Sequence, residues 1–405
     1  MNFSQFLYLL YIFLLPIDEV GPLAFNVGGL HVTILDVILL ILLYLVLSKQ
    51  FVAREYPGKY IYYICICLVI AFPFSIISFI YLPHDNIMYD IKISLVLFEF
   101  SALIYITADV IKNLEFLNKV IHTFVLSCLL VSIATILKSI GLPIYGSSRV
   151  LTSTIGPFTL GHIGIMHQAL GLSIMICVAL PFVINYYLNR RNINILLVFF
   201  IILMATLITY SRGLWIAVGF QIYIYLALIM FCHNDILKRF TVGLILFVIT
   251  ICTLLTGPAI YSLLSQLREA TVIGRMEGYF DGINLLVSNP IFFVFGAGKG
   301  HFVTVYGDGT TMVHNFILDL LVSKGILTVI AVIAAFFIIA KRFQQNFQRN
   351  IVNYNDISLA YISAFAGLFI MGLSAPFFTS IHFWTFFAIT CAYLELHTME
   401  LRWER

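Results

Sequence analysis

The chain reads as an all-α polytopic membrane protein. Of its 405 residues, 61% are hydrophobic and only 10% are charged, against about 25% charged in a soluble domain. Mean hydropathy is +1.04, and the apolar residues gather in continuous runs. An unsatisfied backbone polar group in hydrocarbon costs several kcal/mol, so repeated runs of roughly 20 apolar residues must be spanning helices. The period-two alternation of a transmembrane β-barrel is missing. A formal net charge of +3, with no basic cluster interleaved with aromatics, argues against nucleic acid as a partner and leaves the lipid bilayer.

Taken in order, runs of sufficient length fall near 3–17, 32–48, 60–81, 91–111, 119–140, 163–188, 194–211, 214–232, 239–256, 315–340, 356–376 and 382–397, which predicts about twelve spans in a single membrane domain, 1–405. The first run, MNFSQFLYLLYIFLLPIDEV, lacks a basic leader and a small-residue cleavage site, so it is expected to remain as the first span. All seven cysteines lie in or at the ends of apolar runs without metal-ligand or CxxC spacing, and read as small hydrophobes.

Lysine and arginine are retained on the cytoplasmic side of short connections. One set of connections carries Lys49, Arg54, Lys59, Lys112, Lys119, Arg190, Arg191, Lys238, Arg239, Lys341, Arg342, Arg349, Arg402 and Arg405. This assigns both termini to the cytoplasm. Lys92, Lys138, Arg149, Arg212, Arg268, Arg275, Lys299 and Lys324 run against the rule. Two longer connections face the other way. One is 141–162; the other, 257–314, is long enough for a small periplasmic cap with short amphipathic helices. A GxxxxGK[ST] loop is missing, which excludes ATP as the obvious energy source, and no internal repeat supports an inverted-repeat transporter.

The residues that could carry chemistry cluster on that outer side. His314 and Asn315 open the run TMVHNFILDLLVSKGILTVI. If Asn315 begins the helix, the imidazole of His314 sits at its N-terminus, where the peptide dipoles disfavour imidazolium and a neutral base is kept ready. The same terminus attracts phosphate oxygens. Gly325 and Thr328 return to nearly the same face and offer a small-residue seam. Arg212, in LITYSRGLWIAV, lies where two spans meet with scarcely a loop between them; it either snorkels to lipid phosphate or finds an anionic ligand. Arg275 belongs to a short amphipathic segment of the large loop, and Arg268 shares its face if the helix runs through Gly274. Paired guanidinium forks suit the oxygens of a pyrophosphate. Lys299 sits in GAGKG, whose amides could meet an anion or form a turn. Arg149, His162 and His167 frame the other loop as lesser binding candidates. Asp36, Glu99 and Asp109 are either paired internally or face a wet crevice. No metal-ligand set stands out, and arginines with one histidine fit metal-free transfer from a pyrophosphate-bearing substrate.

On these residues the chain resembles the superfamily of O-antigen polymerases (Wzy-type) and O-antigen ligases, glycosyltransferases acting on lipid-linked oligosaccharides. The family pattern of His, then Asn, Ser or Gln, nine residues, Gly, two residues, and Gly, Thr or Tyr is met by His314, Asn315, Gly325 and Thr328. The family SRG is similar to Ser211, Arg212 and Gly213, and the loop-helix arginine followed by NP and a glycine-rich turn is similar to Arg275, Asn289, Pro290, Gly296 and Gly298. The motifs span roughly 205–330. The resemblance implies a bacterial inner-membrane enzyme without cofactor or metal, which moves an undecaprenyl-pyrophosphate-linked glycan to a hydroxyl on the periplasmic face with inversion. It implies that Arg212 and Arg275 neutralise the pyrophosphate and that His314 is the general base on, or orients, the acceptor.

Polymerase and ligase differ only in acceptor: another lipid-linked repeat unit, or the lipid A core. The modest 257–314 connection and the richness in Ile, Phe, Tyr and Asn favour polymerase, with a chain-length regulator as a possible partner. A small-anion transporter and a non-catalytic member of an export complex are the competing classes. Transport needs polar groups near mid-membrane, whereas the three leading residues map to one face.

Overall fold

The computed structural model describes residues 1–17, 24–27, 30–53, 58–81, 87–144, 154–155, 158–159, 166, 169–209, 211–232, 243, 246, 269–306, 313–349, 356–377 and 380–403. Eight helices come first: α1 (Phe3–Leu14), α2 (Ile34–Ala53), α3 (Lys59–Tyr81), α4 (Ile87–Val110), α5 (Leu114–Ser139), α6 (Ala169–Arg190), α7 (Ile193–Ile208) and α8 (Arg212–Cys232). There follow α9 (Glu269–Ser288) and the two short helices α10 (Pro290–Phe295) and α11 (Lys299–Tyr306), and then α12 (Phe316–Arg349), α13 (Asp356–Gly372) and α14 (Ile381–Trp403). Among the described residues, five helices are long and apolar enough to cross a membrane, within α2, α5, α6, α8 and α12, and α1, α3, α7, α13 and α14 carry shorter apolar stretches. The chain is therefore an all-α, membrane-embedded protein. The span predicted at 239–256 lies almost wholly outside the described residues.

Polar residues mark where the helices begin. Asn2 and Gln5 form a reciprocal capping box on α1, Asn113 and Asn192 cap α5 and α7, and Asn289 with Pro290 opens α10. Asp36 is one of the internally paired carboxylates. It takes the amide of Thr33 at 2.7 Å while Thr33 Oγ1 takes the amide of Asp36, so it closes the head of α2. Two short antiparallel hairpins, β1 (Ala24–Val27) with β2 (Leu30–Thr33) and β3 (Thr154–Ile155) with β4 (Phe158–Thr159), sit in the connections, a detail the all-α expectation does not contain.

Between apolar helices there is little hydrophobic drive, so close packing and polar ties hold the bundle together. The Tyr8 and Thr107 hydroxyls meet at 2.9 Å, those of Tyr11 and Thr385 at 2.8 Å, and Gln221 Nε2 donates to the Cys177 carbonyl. Phe383, Trp384, Phe386 and Phe387 of α14 form a buried aromatic spine against α12, α13 and α4. The described cysteines are free and mostly buried, as small hydrophobes should be.

One end of the bundle gathers the basic residues of the short connections. There Asp109, buried, pairs with Lys112 at 3.1 Å and Lys49 at 3.7 Å, and Arg342 lies 4.8 Å over the ring of Tyr60. The heads of α8 and α12, with the ends of α7 and α13, lie at the other end. Over the head of α12, the helices α9, α10 and α11 build a second small core from Leu285, Leu286, Phe292, Ala297 and Phe302, closed by Val313 and Val322 of the α12 segment.

One expectation is corrected here. The helix predicted from Asn315 to about 340 is not continuous: Gly325 has φ 76° and ψ 172°, and α12 breaks there. The turn after α10 explains the break. Gly296, also at positive φ, lies against the backbone of Lys324 and Gly325, and a Cβ on either glycine would collide with backbone of the other segment. Only glycine permits both the torsion and the approach. Gly325 therefore marks a backbone clasp rather than a seam on an unbroken helix.

Candidate active site

Arg212, Arg275 and His314 lie at the same end of the bundle, linked through contacts made by residues next to them in the chain or on the same helix. Helix α7 ends at Ile208 and α8 begins at Arg212, and the corner is pinned where the indole of Trp215 donates to the Thr206 carbonyl at 2.8 Å and its amide to the Ser211 carbonyl at 3.0 Å. Arg212 thus occupies the first turn of α8. Its neighbour Gly213 faces the hydroxyl of Ser374, so closely that a Cβ would meet it. The preceding residue of that α13 turn, Leu373, accepts from the side-chain amide of Asn315 at 3.4 Å.

Asn315 is the N-cap of α12. Its Oδ1 accepts from the amides of Ile317 and Leu318, both at 3.0 Å, and its carbonyl takes the amide of Asp319 at 2.8 Å. This bears out the expectation that Asn315 starts the helix; its side-chain oxygen caps the helix head while its side-chain amide reaches the α13 turn, so Asn315, also a candidate substrate-binding residue, is engaged at both ends. His314 immediately precedes it, half-buried.

Arg275 comes from the other direction, on α9. The face of α9 that carries Gly278, Tyr279, Gly282, Leu285 and Leu286 packs onto the start of α12; a Cβ at Gly282 would stand 3.2 Å from both Val313 and Val322. One turn after Arg275, the hydroxyl of Tyr279 donates to the backbone carbonyl of His314 at 2.8 Å. Arg275 is half-buried, its Nε shielded from solvent. Partial burial raises the Tyr279 phenol above its usual range, and the nearby Arg275 guanidinium partly opposes the shift. No protein-family model matches the chain, and no curated protein matches it either.

Of the lesser candidates, Arg149, His162, His167 and Arg268 lie outside the described residues. Lys299 opens α11. The glycine run before it is a turn with its first amides already used: Gly296 N–H donates to the Phe292 carbonyl at 2.8 Å and Ala297 N–H to the Val322 carbonyl at 2.7 Å. The anion-cradle alternative for those two amides is thereby closed. Thr328, one turn past the break, is buried and donates to the Ala71 carbonyl on α3 at 3.5 Å, a packing role. Lys324 is also buried, 2% exposed, with its Nζ 2.7 Å from the hydroxyl of Ser94 on α4.

Sequence reasoning missed two contributors. Tyr279 was findable, since it stands four residues after Arg275 and so on the same helix face. The Leu373–Ser374 turn was not, because it reaches the site by a long-range contact that no spacing encodes. Beside Asn315 and Leu373 opens a hollow of about 190 Å³, lined by Phe316, Phe365, Phe369, Phe377 and Phe383 and otherwise almost wholly apolar. Ile317, Phe369 and Leu373 at its edge are exposed on the side of the bundle.

Proposed function

We propose that this protein is an O-antigen or polysaccharide polymerase: on the periplasmic face of a bacterial inner membrane it transfers an undecaprenyl-pyrophosphate-linked glycan to a hydroxyl of another lipid-linked repeat unit, inverting the anomeric centre without a metal. The observation that carries this reading is the contact path joining the three motif residues at the end of the bundle away from the basic connections. It runs from Arg212 and Gly213 through Ser374, Leu373 and Asn315 to His314, and through Tyr279 to Arg275.

In this reaction the acceptor oxygen bonds to the anomeric carbon as the bond from that carbon to the pyrophosphate oxygen breaks. His314 takes the hydroxyl proton, and undecaprenyl pyrophosphate leaves with the electron pair. Negative charge grows on the leaving group, and the guanidinium groups of Arg212 and Arg275 meet it without rearranging, as transition-state stabilisation requires. A base contributes about 10²–10⁴-fold when held within reach of its proton. The apolar hollow beside Asn315 supports a donor with a hydrocarbon tail, since its edge is exposed on the flank of the bundle where a lipid chain can enter. Basic residues gathered at the opposite end support cytoplasmic connections there and an outward site here.

The test is a gel of surface lipopolysaccharide from cells lacking the protein. A single repeat unit on the core is the expected result. Bare core with accumulated lipid-linked polymer would identify a ligase instead, and an unchanged ladder would remove both readings.

A further inference from the structure

We infer that Tyr279 is a positioning residue that sets Arg275 in register with His314. This rests on the proposed function for its catalytic consequence, but its geometry stands independently. The helix carrying Arg275 has no covalent closeness to His314; the two are separated by α10, α11 and the 307–312 connection. Packing and a polar tie help to align them. Gly282 lets α9 approach Val313 and Val322, and Leu285 and Leu286 fill the small core below. These contacts fix the distance between α9 and α12, and the ring of Tyr279 packs against the same core. Near Arg275, the polar tie to residue 314 is the Tyr279 hydroxyl, 2.8 Å from the His314 carbonyl.

Rotating α9 about its axis by a fraction of a turn would leave the leucines in apolar surroundings and swing Arg275 away. The phenol opposes that rotation because it is one turn from Arg275 on the same face. It also holds the carbonyl of the residue just before the Asn315 cap, so it orients the backbone from which the imidazole projects. A second tie, Ala297 N–H to the Val322 carbonyl, fastens the same cap lower down. With that fixed, loss of the phenolic hydroxyl would loosen the Arg275 end.

The experiment compares Tyr279→Phe with the parent, purified in lipid nanodiscs, in two measurements. The first is transfer kinetics with an undecaprenyl-pyrophosphate-linked repeat unit. The second is the distance distribution between spin labels at the exposed positions Glu277 and Ile317, in a background with the native cysteines replaced. The expected result is a fall in kcat of about tenfold, as one lost hydrogen bond allows, with KM for the donor within twofold, an unchanged melting temperature, and a broadened distance distribution. A distribution as narrow as the parent's, or activity lost only in proportion to unfolded protein, would overturn the assignment. If the parent transfers no glycan, broadened distances still uphold the positioning role and only the proposed function fails.

Discussion

The two ends of this bundle handle their polar residues differently. At the basic end, charges are settled against one another through their side chains: Asp109 between Lys49 and Lys112, Glu115 with Lys119 at 2.6 Å, and Arg342 on the ring of Tyr60. At the other end, the residues are fastened through their backbones. Arg212 is set by the first turn of α8, His314 is held by its carbonyl, and the Asn315 side chain divides between the helix head and the Leu373 carbonyl. Side-chain pairing satisfies a charge in place. Backbone fastening fixes where a side chain starts, which is what holding a group in a set place requires.

That contrast can be broken or sharpened by mutation, beginning with the largest effect. Changing His314, Arg212 or Arg275 to alanine should each abolish long-chain glycan in cells, a loss of at least about 10²-fold, while immunoblots show normal protein in the membrane. If two of the three variants still made full-length chains, the backbone-fastened end would not be the reactive one. Gly325→Ala should come next: it forces a side chain into positive φ and against the Val294 carbonyl and Gly296 amide, costing roughly 3 kcal/mol or more, read as a lower melting temperature in detergent and reduced yield.

Ser94→Ala should be intermediate. It takes the serine hydroxyl away from the buried Lys324 ammonium, a cost of about 1–3 kcal/mol in stability, with transfer per folded molecule unchanged; a selective loss of activity would instead bring Lys324 into the reaction. The smallest effect belongs to the basic end. Lys119→Ala removes an exposed i,i+4 pair with Glu115, and neither melting temperature nor glycan length should move measurably.

The fold class was plain in the sequence because hydrocarbon allows so few solutions: repeated continuous apolar runs of that length read as spanning helices. Helix order and the terse α7 to α8 corner at Arg212 followed directly. The break at Gly325 was hidden, since its cause lies in Gly296, brought against it by the fold. Within a run that reads as helix, a lone glycine signals either packing or a turn, and only the partner backbone decides. The same limit applied to the site. Residue types and a shared end of the bundle were legible for His314, Arg212 and Arg275, and the capping role of Asn315 was anticipated. The Leu373–Ser374 turn and the hollow beside it arise from α13 meeting α12 and α8, which no local pattern records.

The account stands on three residues sharing one pyrophosphate, and an experimental structure in lipid nanodiscs with bound undecaprenyl pyrophosphate tests this most directly. It should show the pyrophosphate bounded by the guanidinium groups of Arg212 and Arg275, with His314 at its edge and the first isoprene units in the phenylalanine-lined hollow. Pyrophosphate held elsewhere, or by only one of the three, would contradict it.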